Sequence, residues 1–322
     1  MNGKIARLVA LACLAHAAAF AQSPAYPARP ARMLVGFTPG GGVDINARLA
    51  ASKLSEYLGQ QFIVENRPGA GTNIANEAVA KAAPDGYTLL FTSPAVAINM
   101  SLYRNPPYDA LRDFAGVSVF SESTNILVVP ASLPVKSVQD LLVLARAKPG
   151  ALNYSSAGPG STQHLAGELF KLRTGTKIVH VPYKGSAPSL TALISGEVQL
   201  SFVNPVAIGQ YVKAGRLRAL AVAGAKRTSF LPDVPTMKEA GVEGVEVPLW
   251  YGLLAPSGTP GPIVHALAAA VEKGAHSPDM EKKLLDQGAE PVGNTPEEFQ
   301  AALKQEVARW AEVVKTSGAR AE

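Results

Sequence analysis

The segment Met33-Leu-Val-Gly-Phe-Thr-Pro-Gly-Gly-Gly-Val-Asp-Ile-Asn-Ala-Arg48 decides how the rest of the chain is interpreted. Its apolar beginning predicts a buried strand, and the residues after the glycines have the spacing of an amphipathic helix. Three consecutive glycines allow a sharp turn and a close backbone approach to a ligand. The first N–H groups of the helix, with the positive end of its dipole, point back at this turn. Alone, the pattern fits an anion-binding turn and a tight turn without ligand equally well.

The first 21 residues have the pattern of a secretory signal peptide. Lys4 and Arg7 precede an apolar stretch, and Ala19-Phe20-Ala21 is an A-x-A cleavage signal. The stretch is too short to span a membrane, so we expect cleavage after about Ala21 and a periplasmic protein. A lipoprotein attached through Cys13 is the alternative, but it leaves only a short apolar segment before the cysteine.

Length and charge limit the classes of function. A mature chain of roughly 300 residues predicts two domains. The formal net charge is +5, and removal of Lys4 and Arg7 with the signal peptide leaves +3. This small charge without a basic run argues against nucleic-acid binding. Cys13 is the only cysteine, so cleavage after Ala21 excludes disulfides and thiol catalysis.

Strands and helices alternate along the chain. The pattern before residue 105 predicts a mostly parallel sheet with helices on both faces. A second α/β unit follows, and the last segment, with one strand and three helices, is too small to stand alone. We therefore predict a first lobe of residues 22–125 and 244–322, a second lobe of residues 126–243, and a ligand cleft between them.

A second glycine turn repeats the opening pattern in the second unit. The strand at residues 152–156 is followed by Ala157-Gly-Pro-Gly160 and by a helix that begins at Ser161 or Thr162. Ligands of open α/β sheets bind beyond the carboxyl ends of the strands, so two facing lobes bring both turns into one cleft. Ser161 and Thr162 are either helix caps or ligand donors.

Several single residues have two interpretations. Asp44 stabilises the dipole of its helix or, if it faces the cleft, accepts a hydrogen bond from a ligand. His164 is a structural residue or a ligand contact, whereas His180 is interpreted as a core residue of a strand. Trp250 and Tyr251 form either core beside the crossing between lobes or a wall of the cleft.

Catalytic and cofactor motifs are missing from the sequence. Gln163 stands where a dinucleotide-binding turn needs its third glycine. No P-loop and no G-x-S-x-G motif is present, and the histidines lack metal-ligand spacing. Because no nucleophile, base and orienting group come together, we predict a binding protein rather than an enzyme, without metal or cofactor; an uncharacterised hydrolase is the remaining alternative.

Segments along the whole mature chain carry a family resemblance. They are Phe37-Thr-Pro-Gly-Gly-Gly-Val-Asp44, Val64-Glu-Asn-Arg-Pro-Gly-Ala-Gly71, Ala83-Pro-Asp-Gly-Tyr-Thr88, His164-Leu-Ala-Gly-Glu-Leu-Phe170, His180-Val-Pro-Tyr-Lys-Gly185, Leu217-Arg-Ala-Leu-Ala221, Leu231-Pro-Asp-Val-Pro-Thr236 and Gly288-Ala-Glu-Pro-Val292. In these segments the chain resembles the Bug-type (TctC-like) solute-binding proteins, the extracytoplasmic components of tripartite tricarboxylate transporters.

The resemblance implies an α/β, two-lobed periplasmic-binding-protein (Venus flytrap) fold that closes on a small carboxylate. It implies membrane permease subunits as partners; a periplasmic module that presents its ligand to a sensor kinase is the alternative. We expect a monomer. The expected ligand-binding residues are Phe37, Gly40, Gly41, Gly42, Asp44, Ser93, Ala157, Gly158, Ser161, Thr162, His164, Tyr183 and Asn204.

Val203 departs from the family pattern, since relatives often carry an aspartate one residue before the asparagine that matches Asn204. If that aspartate serves a ligand amine in some relatives, its replacement argues against an amino-acid ligand. The segment at residues 246–249 is also more apolar than usual there. We therefore expect a non-amino mono- or dicarboxylate, aromatic ones included.

Overall fold

The computed structural model describes residues 26–321. The predicted signal peptide, with Cys13 and the cleavage position after Ala21, lies outside these residues. The described chain forms two β-sheets flanked by helices, which is the α/β fold class predicted from the sequence. Within residues 26–321, no helix has both the length and the apolar character needed to cross a membrane.

The bounds of the elements follow. The strands are β1 (Ala31–Val35), β2 (Phe62–Asn66), β3 (Thr88–Thr92), β4 (Phe114–Thr124), β5 (Ile126–Pro130), β6 (Asn153–Ser156), β7 (Val179–Pro182), β8 (Leu200–Val203), β9 (Leu217–Val222), β10 (Pro248–Pro256) and β11 (Glu290–Pro291). The helices are α1 (Gly42–Leu58), α2 (Asn73–Ala80), α3 (Ala95–Leu102), α4 (Val138–Ala147), α5 (Thr162–Thr174), α6 (Ser186–Ser195), α7 (Pro205–Lys213), α8 (Gly261–Ala275), α9 (Pro278–Asp286) and α10 (Pro296–Ser317).

The first sheet has the strand order β11–β4–β10–β3–β1–β2, and the second has the order β7–β6–β8–β5–β9. In the first sheet β1 pairs in parallel with β2 and β3. In the second sheet β6 pairs in parallel with β7 and β8. Each sheet with its flanking helices is called a lobe below. The carboxyl ends of the parallel strands in each lobe face the other lobe.

Both sheets are mixed, whereas the sequence predicted mostly parallel sheets. β10 lies antiparallel between β3 and β4, and β5 lies antiparallel between β8 and β9. The reason is the path of the chain. β4 passes through Asn125 directly into β5, which runs away from the first lobe, and β10 returns from the second lobe. β5 and β10 each enter their sheet from the other lobe, so each runs antiparallel to neighbours whose carboxyl ends face the cleft.

The strand β4 is absent from the sequence-based prediction, although it has 11 residues. Gly116, Ser118 and Ser121 interrupt its apolar pattern, yet all three are buried. Ser137 caps α4, because its side chain accepts a hydrogen bond from the backbone N–H of Asp140 at 3.1 Å.

The C-terminal helix α10 packs on the first sheet and also contacts α5 of the second lobe. Phe299, near its start, is 1% exposed. Its ring lies over two glycines of the sheet: a Cβ at Gly252 would be 2.8 Å from Phe299 Cζ, and one at Gly116 would be 3.4 Å from Phe299 Cδ1. Small residues in β4 and β10 thus make room for the aromatic ring, and Trp250 adds an edge-on contact at 5.2 Å between ring centroids.

Replacement of this ring tests the packing. Phe299→Ala should lower the free energy of unfolding by about 3–5 kcal/mol, because it leaves a cavity between α10 and the sheet. Guanidinium denaturation measures the change. Val143→Ala is the control, since Val143 is 69% exposed and its truncation should change stability by less than about 0.5 kcal/mol. A loss below about 1 kcal/mol for Phe299→Ala would contradict this packing.

Candidate functional site

The two glycine turns face each other across a cleft between the lobes. The first turn links β1 to α1, and the second links β6 to α5. Residues of both line one cavity with about 30 Å³ of free space, which is room for about two water molecules. The lobes approach closely here, since a Cβ at Gly41 would lie 3.4 Å from the Cβ of Ser186. This is a closed arrangement of the two lobes.

The lining residues come from both lobes. They are Phe37, Gly41, Gly42, Val43, Ser93, Asn125, Ala157, Ser161, Thr162, Gln163, Ser186, Asn204, Leu249 and Tyr251. This set contains no charged side chain. Elsewhere in residues 26–321 there is also no group of three or more His, Cys, Asp or Glu side chains arranged to hold a metal ion.

Helix N-termini supply the positive potential that charged side chains do not. Lining residues lie at or beside the N-termini of α1, α3, α5, α6 and α7; they are Gly42, Ser93, Thr162, Ser186 and Asn204. The first N–H groups of a helix have no partner within the helix, and its dipole makes this end positive. Convergence of several such ends favours an anion in the cavity.

Asp44 holds the first turn in place. Its carboxylate accepts hydrogen bonds from the N–H of Gly40 at 2.9 Å, from Arg48 at 2.9 and 3.1 Å and from Asn66 at 2.9 Å. Burial acts to raise the pKa of Asp44, but the bonds from Arg48, Gly40 and Asn66 outweigh it and keep the pKa below its usual value. The charge is thus compensated by protein groups, and Asp44 is not among the residues that line the cavity.

The second turn is held by hydroxyl groups. Ser161 Oγ donates to the carbonyl of Gly158 at 2.7 Å and accepts from the N–H of His164 at 3.2 Å, so Ser161 caps α5. Thr162 Oγ1 accepts from the amide of Asn125 at 3.0 Å. Both hydroxyl groups therefore have structural partners while their residues line the cavity.

Two amide side chains have an unused oxygen at the cavity. Asn125 and Gln163 are 0% and 5% exposed, and neither Asn125 Oδ1 nor Gln163 Oε1 has a hydrogen-bond partner among the described residues. The nitrogen of Gln163 donates to Ser186 Oγ at 3.2 Å. Because an amide can be turned to present either its oxygen or its NH₂ group, each can bind an acceptor or a donor of a ligand.

A hydrogen bond joins the lobes beside the first turn. The amide of Asn204 donates to Tyr251 Oη at 2.6 Å, and Asn204 Oδ1 accepts from the N–H of Val206, which caps α7. Burial raises the pKa of the Tyr251 phenol. The turn fits against this phenol only because residue 42 is glycine, since a Cβ there would be 2.5 Å from Tyr251 Oη.

The predicted site residues divide into two groups. The cavity is lined by Phe37, Gly41, Gly42, Ser93, Ala157, Ser161, Thr162 and Asn204. The others do not line the cavity: Gly40 and Asp44 support the first turn, Gly158 and His164 support the second, and Tyr183 donates to Glu197 at 2.7 Å in an exposed contact.

Sequence reasoning missed several lining residues, namely Val43, Asn125, Gln163, Ser186 and Leu249. Ser186 had a usable signal, since it follows Gly185 at the start of a helix as Ser161 follows Gly160. Asn125 had none, because its position depends on the direct passage from β4 to β5. Tyr251 lines the cavity, which corresponds to the second of its two interpretations from the sequence.

Two histidines stack under the second turn. The rings of His164 and His180 are 4.3 Å apart at their centroids, and Tyr154 lies on the other side of His180 at 4.8 Å. Burial lowers the pKa of His164 to about 4, and burial together with His164 and Lys171 lowers the pKa of His180 to about 3. Both imidazoles are therefore neutral at ordinary pH.

A larger cavity of about 360 Å³ lies beside the segments that cross between the lobes. Its lining includes Glu122, Lys226, Glu290 and Arg309. Lys226 pairs with Glu290 at 3.0 Å, and Arg309 donates to the carbonyl of Glu246 at 2.9 Å. Because it is not built at helix N-termini and its cations are already paired, we assign the candidate site to the smaller cleft.

Comparison with known proteins gives a family match. Residues 46–319 match the model of the tripartite tricarboxylate transporter family receptor. Protein BugT of Bordetella pertussis is 38% identical over 297 residues, which cover 92% of this chain and 91% of BugT.

Solved structures agree in fold. The R. palustris protein Rpa4515 with adipate is 44% identical, with a TM-score of 0.88 over 91% of this chain and 98% of that one. The periplasmic binding protein BugD is 34% identical, with a TM-score of 0.88 over 92% and 100%. MatC from Rhodopseudomonas palustris, with bound malate, is 32% identical, with a TM-score of 0.86 over 90% and 100%.

The first glycine turn can be tested with a matched pair of variants. Gly41→Val places two methyl groups against Ser186, so it should prevent the lobes from closing and abolish ligand binding while the fold stays near intact. Gly261→Val is the control, because Gly261 also begins a helix but has open space around its Cβ position. Calorimetric titration and circular dichroism measure both. Unchanged affinity in Gly41→Val would remove this turn from the site.

The two stacked histidines predict a pH dependence of stability. A group whose pKa is lower in the folded chain than its ordinary value of 6.5 takes up its proton first in the unfolded chain. The contribution of His164 and His180 is therefore complete above about pH 6.5 and is lost as the pH falls toward 4. Urea unfolding at pH 7, 6 and 5 should give a decreasing free energy, and His164→Asn should flatten this slope. An equal slope in the variant would contradict the prediction.

Proposed function

Since the chain belongs to the family of tripartite tricarboxylate transporter receptors, we propose that it captures a small carboxylate between its lobes and delivers it to the membrane permease of such a transporter. The relatives are binding proteins rather than enzymes, in agreement with the prediction from the sequence. The observation that carries the proposal is the neutral cavity at which helix N-termini of both lobes converge. A carboxylate accepts backbone N–H groups in this arrangement and needs no arginine.

The ligand we propose is a non-amino mono- or dicarboxylate. Relatives with this fold have been solved with adipate and with malate, and both are dicarboxylates without an amine. An ammonium group needs a carboxylate partner when it is buried, but the lining holds none. Val203, directly before Asn204, is an apolar residue that is 1% exposed, so no carboxylate stands at this position.

The second end of the ligand meets amides and an apolar wall. The unused oxygens of Asn125 and Gln163 suit a ligand hydroxyl group, and either amide turned to present its NH₂ group suits a second carboxylate. Phe37, Leu249 and Tyr251 supply apolar surface, which extends the proposal to aromatic carboxylates. The free space of about 30 Å³ is smaller than such a ligand, so the lobes must separate to admit it and close around it.

The remaining parts of the proposal concern the protein in the cell. We propose that a signal peptide ending at about Ala21 directs the chain to the periplasm, in keeping with its similarity to the periplasmic binding protein BugD. We propose that the receptor is a monomer and that the lobes are residues 22–125 with 244–322 and residues 126–243. The closed, liganded form is the one that would meet the permease.

A calorimetric titration against a panel of carboxylates tests the function. We expect adipate, malate or benzoate to bind at least tenfold more tightly than aspartate and glutamate, because the cavity lining offers no carboxylate to balance the charge of an ammonium group. Native mass spectrometry of the freshly purified protein identifies a ligand retained from the cell. Tight binding of acidic amino acids alone would overturn the ligand class, and no binding by any carboxylate would overturn the function.

A further inference from the structure

A stack of three rings lies directly behind the second glycine turn. Tyr154 on β6, His180 on β7 and His164 on α5 are arranged face to face, with interplanar angles of 22° and 15°. None of the three lines the cavity. Tyr154 and His164 are buried, and His180 is partly buried. The stack therefore joins two strands and one helix of the second lobe at the place where the turn begins.

Two hydrogen-bond paths connect the stack to the turn. The N–H of Gly160 donates to His164 Nδ1 at 3.4 Å. The N–H of Gly158 donates to Ser156 Oγ at 3.1 Å, and Ser156 Oγ lies 2.7 Å from His180 Nε2. Both glycines have positive φ angles, of 79° and 115°, so these contacts hold the two residues whose backbone has the most freedom.

We propose that His164 and His180 are positioning residues that hold the second glycine turn in its ligand-binding geometry. The proposal rests on the proposed function, because it concerns the same cleft. Neither imidazole lines the cavity, so neither touches the ligand. Each acts through a backbone N–H of the turn, directly for His164 and through Ser156 for His180.

The contact of His164 requires a neutral ring. Nδ1 accepts a hydrogen bond only when it carries no proton, so the proton of the neutral ring lies on Nε2. A protonated ring would turn an N–H toward the N–H of Gly160. The charged or titratable groups around the two rings are Glu168 and Lys171 on α5 and Tyr154 on β6. Glu168 is already engaged, with Tyr154 at 2.6 Å and Lys171 at 2.9 Å.

The position of Gly160 matters because this residue touches the other lobe. A Cβ at Gly160 would lie 2.1 Å from Asn99 Oδ1 and 3.4 Å from Leu102 Cδ2, both on α3 of the first lobe. A peptide that turns away from His164 therefore changes the surface on which the lobes close. This links the stack to ligand affinity rather than to folding alone.

Two variants of His164 separate the hydrogen bond from the packing. His164→Leu fills a similar volume without an acceptor, whereas His164→Asn places its side-chain oxygen near the position of Nδ1. With adipate as the probe, calorimetric titration should show an affinity about tenfold weaker for His164→Leu and near that of the unmodified protein for His164→Asn. His265→Leu is the control, since His265 is 61% exposed at its side chain. Equal affinities for His164→Leu and the unmodified protein, or equal losses in both His164 variants, would overturn the proposal.

The pH profile distinguishes positioning from a general loss of stability. The adipate affinity of His164→Asn, divided by that of the unmodified protein, should rise as the pH falls from 7 to 4, because the variant has no ring to protonate. Protonation of adipate changes both affinities by the same factor, so it cancels in this ratio. A flat ratio would contradict the proposal.

A measurement without ligand keeps the test independent of the proposed function. In the ligand-free protein, ¹⁵N NMR should show the His164 proton on Nε2 and slow hydrogen exchange at the amide of Gly160. The amide should exchange faster in His164→Leu than in His164→Asn. Equal exchange in the two variants would overturn the positioning role, even if no carboxylate of the panel binds; failure of binding alone would overturn only the proposed function.

Discussion

Backbone N–H groups at the start of a helix have no partner inside the helix, and this structure directs several of them at one cavity. In the described part of the chain, α1, α3, α5, α6 and α7 all begin at the cleft. The positive ends of their dipoles create a positive potential without any charged side chain in the lining. The topology of both lobes produces this convergence, because each of these helices begins just after the carboxyl end of a parallel strand.

Glycine residues make the close approach of these helix N-termini sterically possible. Gly42 admits the phenol of Tyr251, and Gly160 admits the side chain of Asn99 from the opposite lobe. At Gly185, a Cβ would meet Thr38 Oγ1 across the cleft at 2.0 Å. Side chains at Gly160 and Gly185 would hold the lobes apart, so the closed form depends on small residues at these contacts. Asp44 and Ser161 then fix the backbone of the two turns by hydrogen bonds from behind.

The sequence predicts the two glycine turns better than the directions of the strands. Strand, glycine turn and helix are neighbours along the chain, so both turns can be found from local sequence, at residues 37–44 and 157–162. The direction of β5 and β10 depends instead on how the chain crosses between lobes, which no local pattern records. The same holds for Asn125 and Leu249, which reach the cavity only because the crossing segments pass beside it. His164 shows the intermediate case, since its place beside the turn was visible but its contact with Gly160 was not.

In the function proposed above, backbone groups of both glycine turns bind one carboxylate together. An NMR titration of the ¹⁵N-labelled protein with adipate tests it most directly, because it reports every backbone amide. The largest shift changes should occur together at the amides of Gly41 and Gly42 in the first lobe and of Ser161 and Thr162 in the second. Saturable changes confined to one lobe, or centred on the cavity beside Lys226 and Glu290, would contradict it.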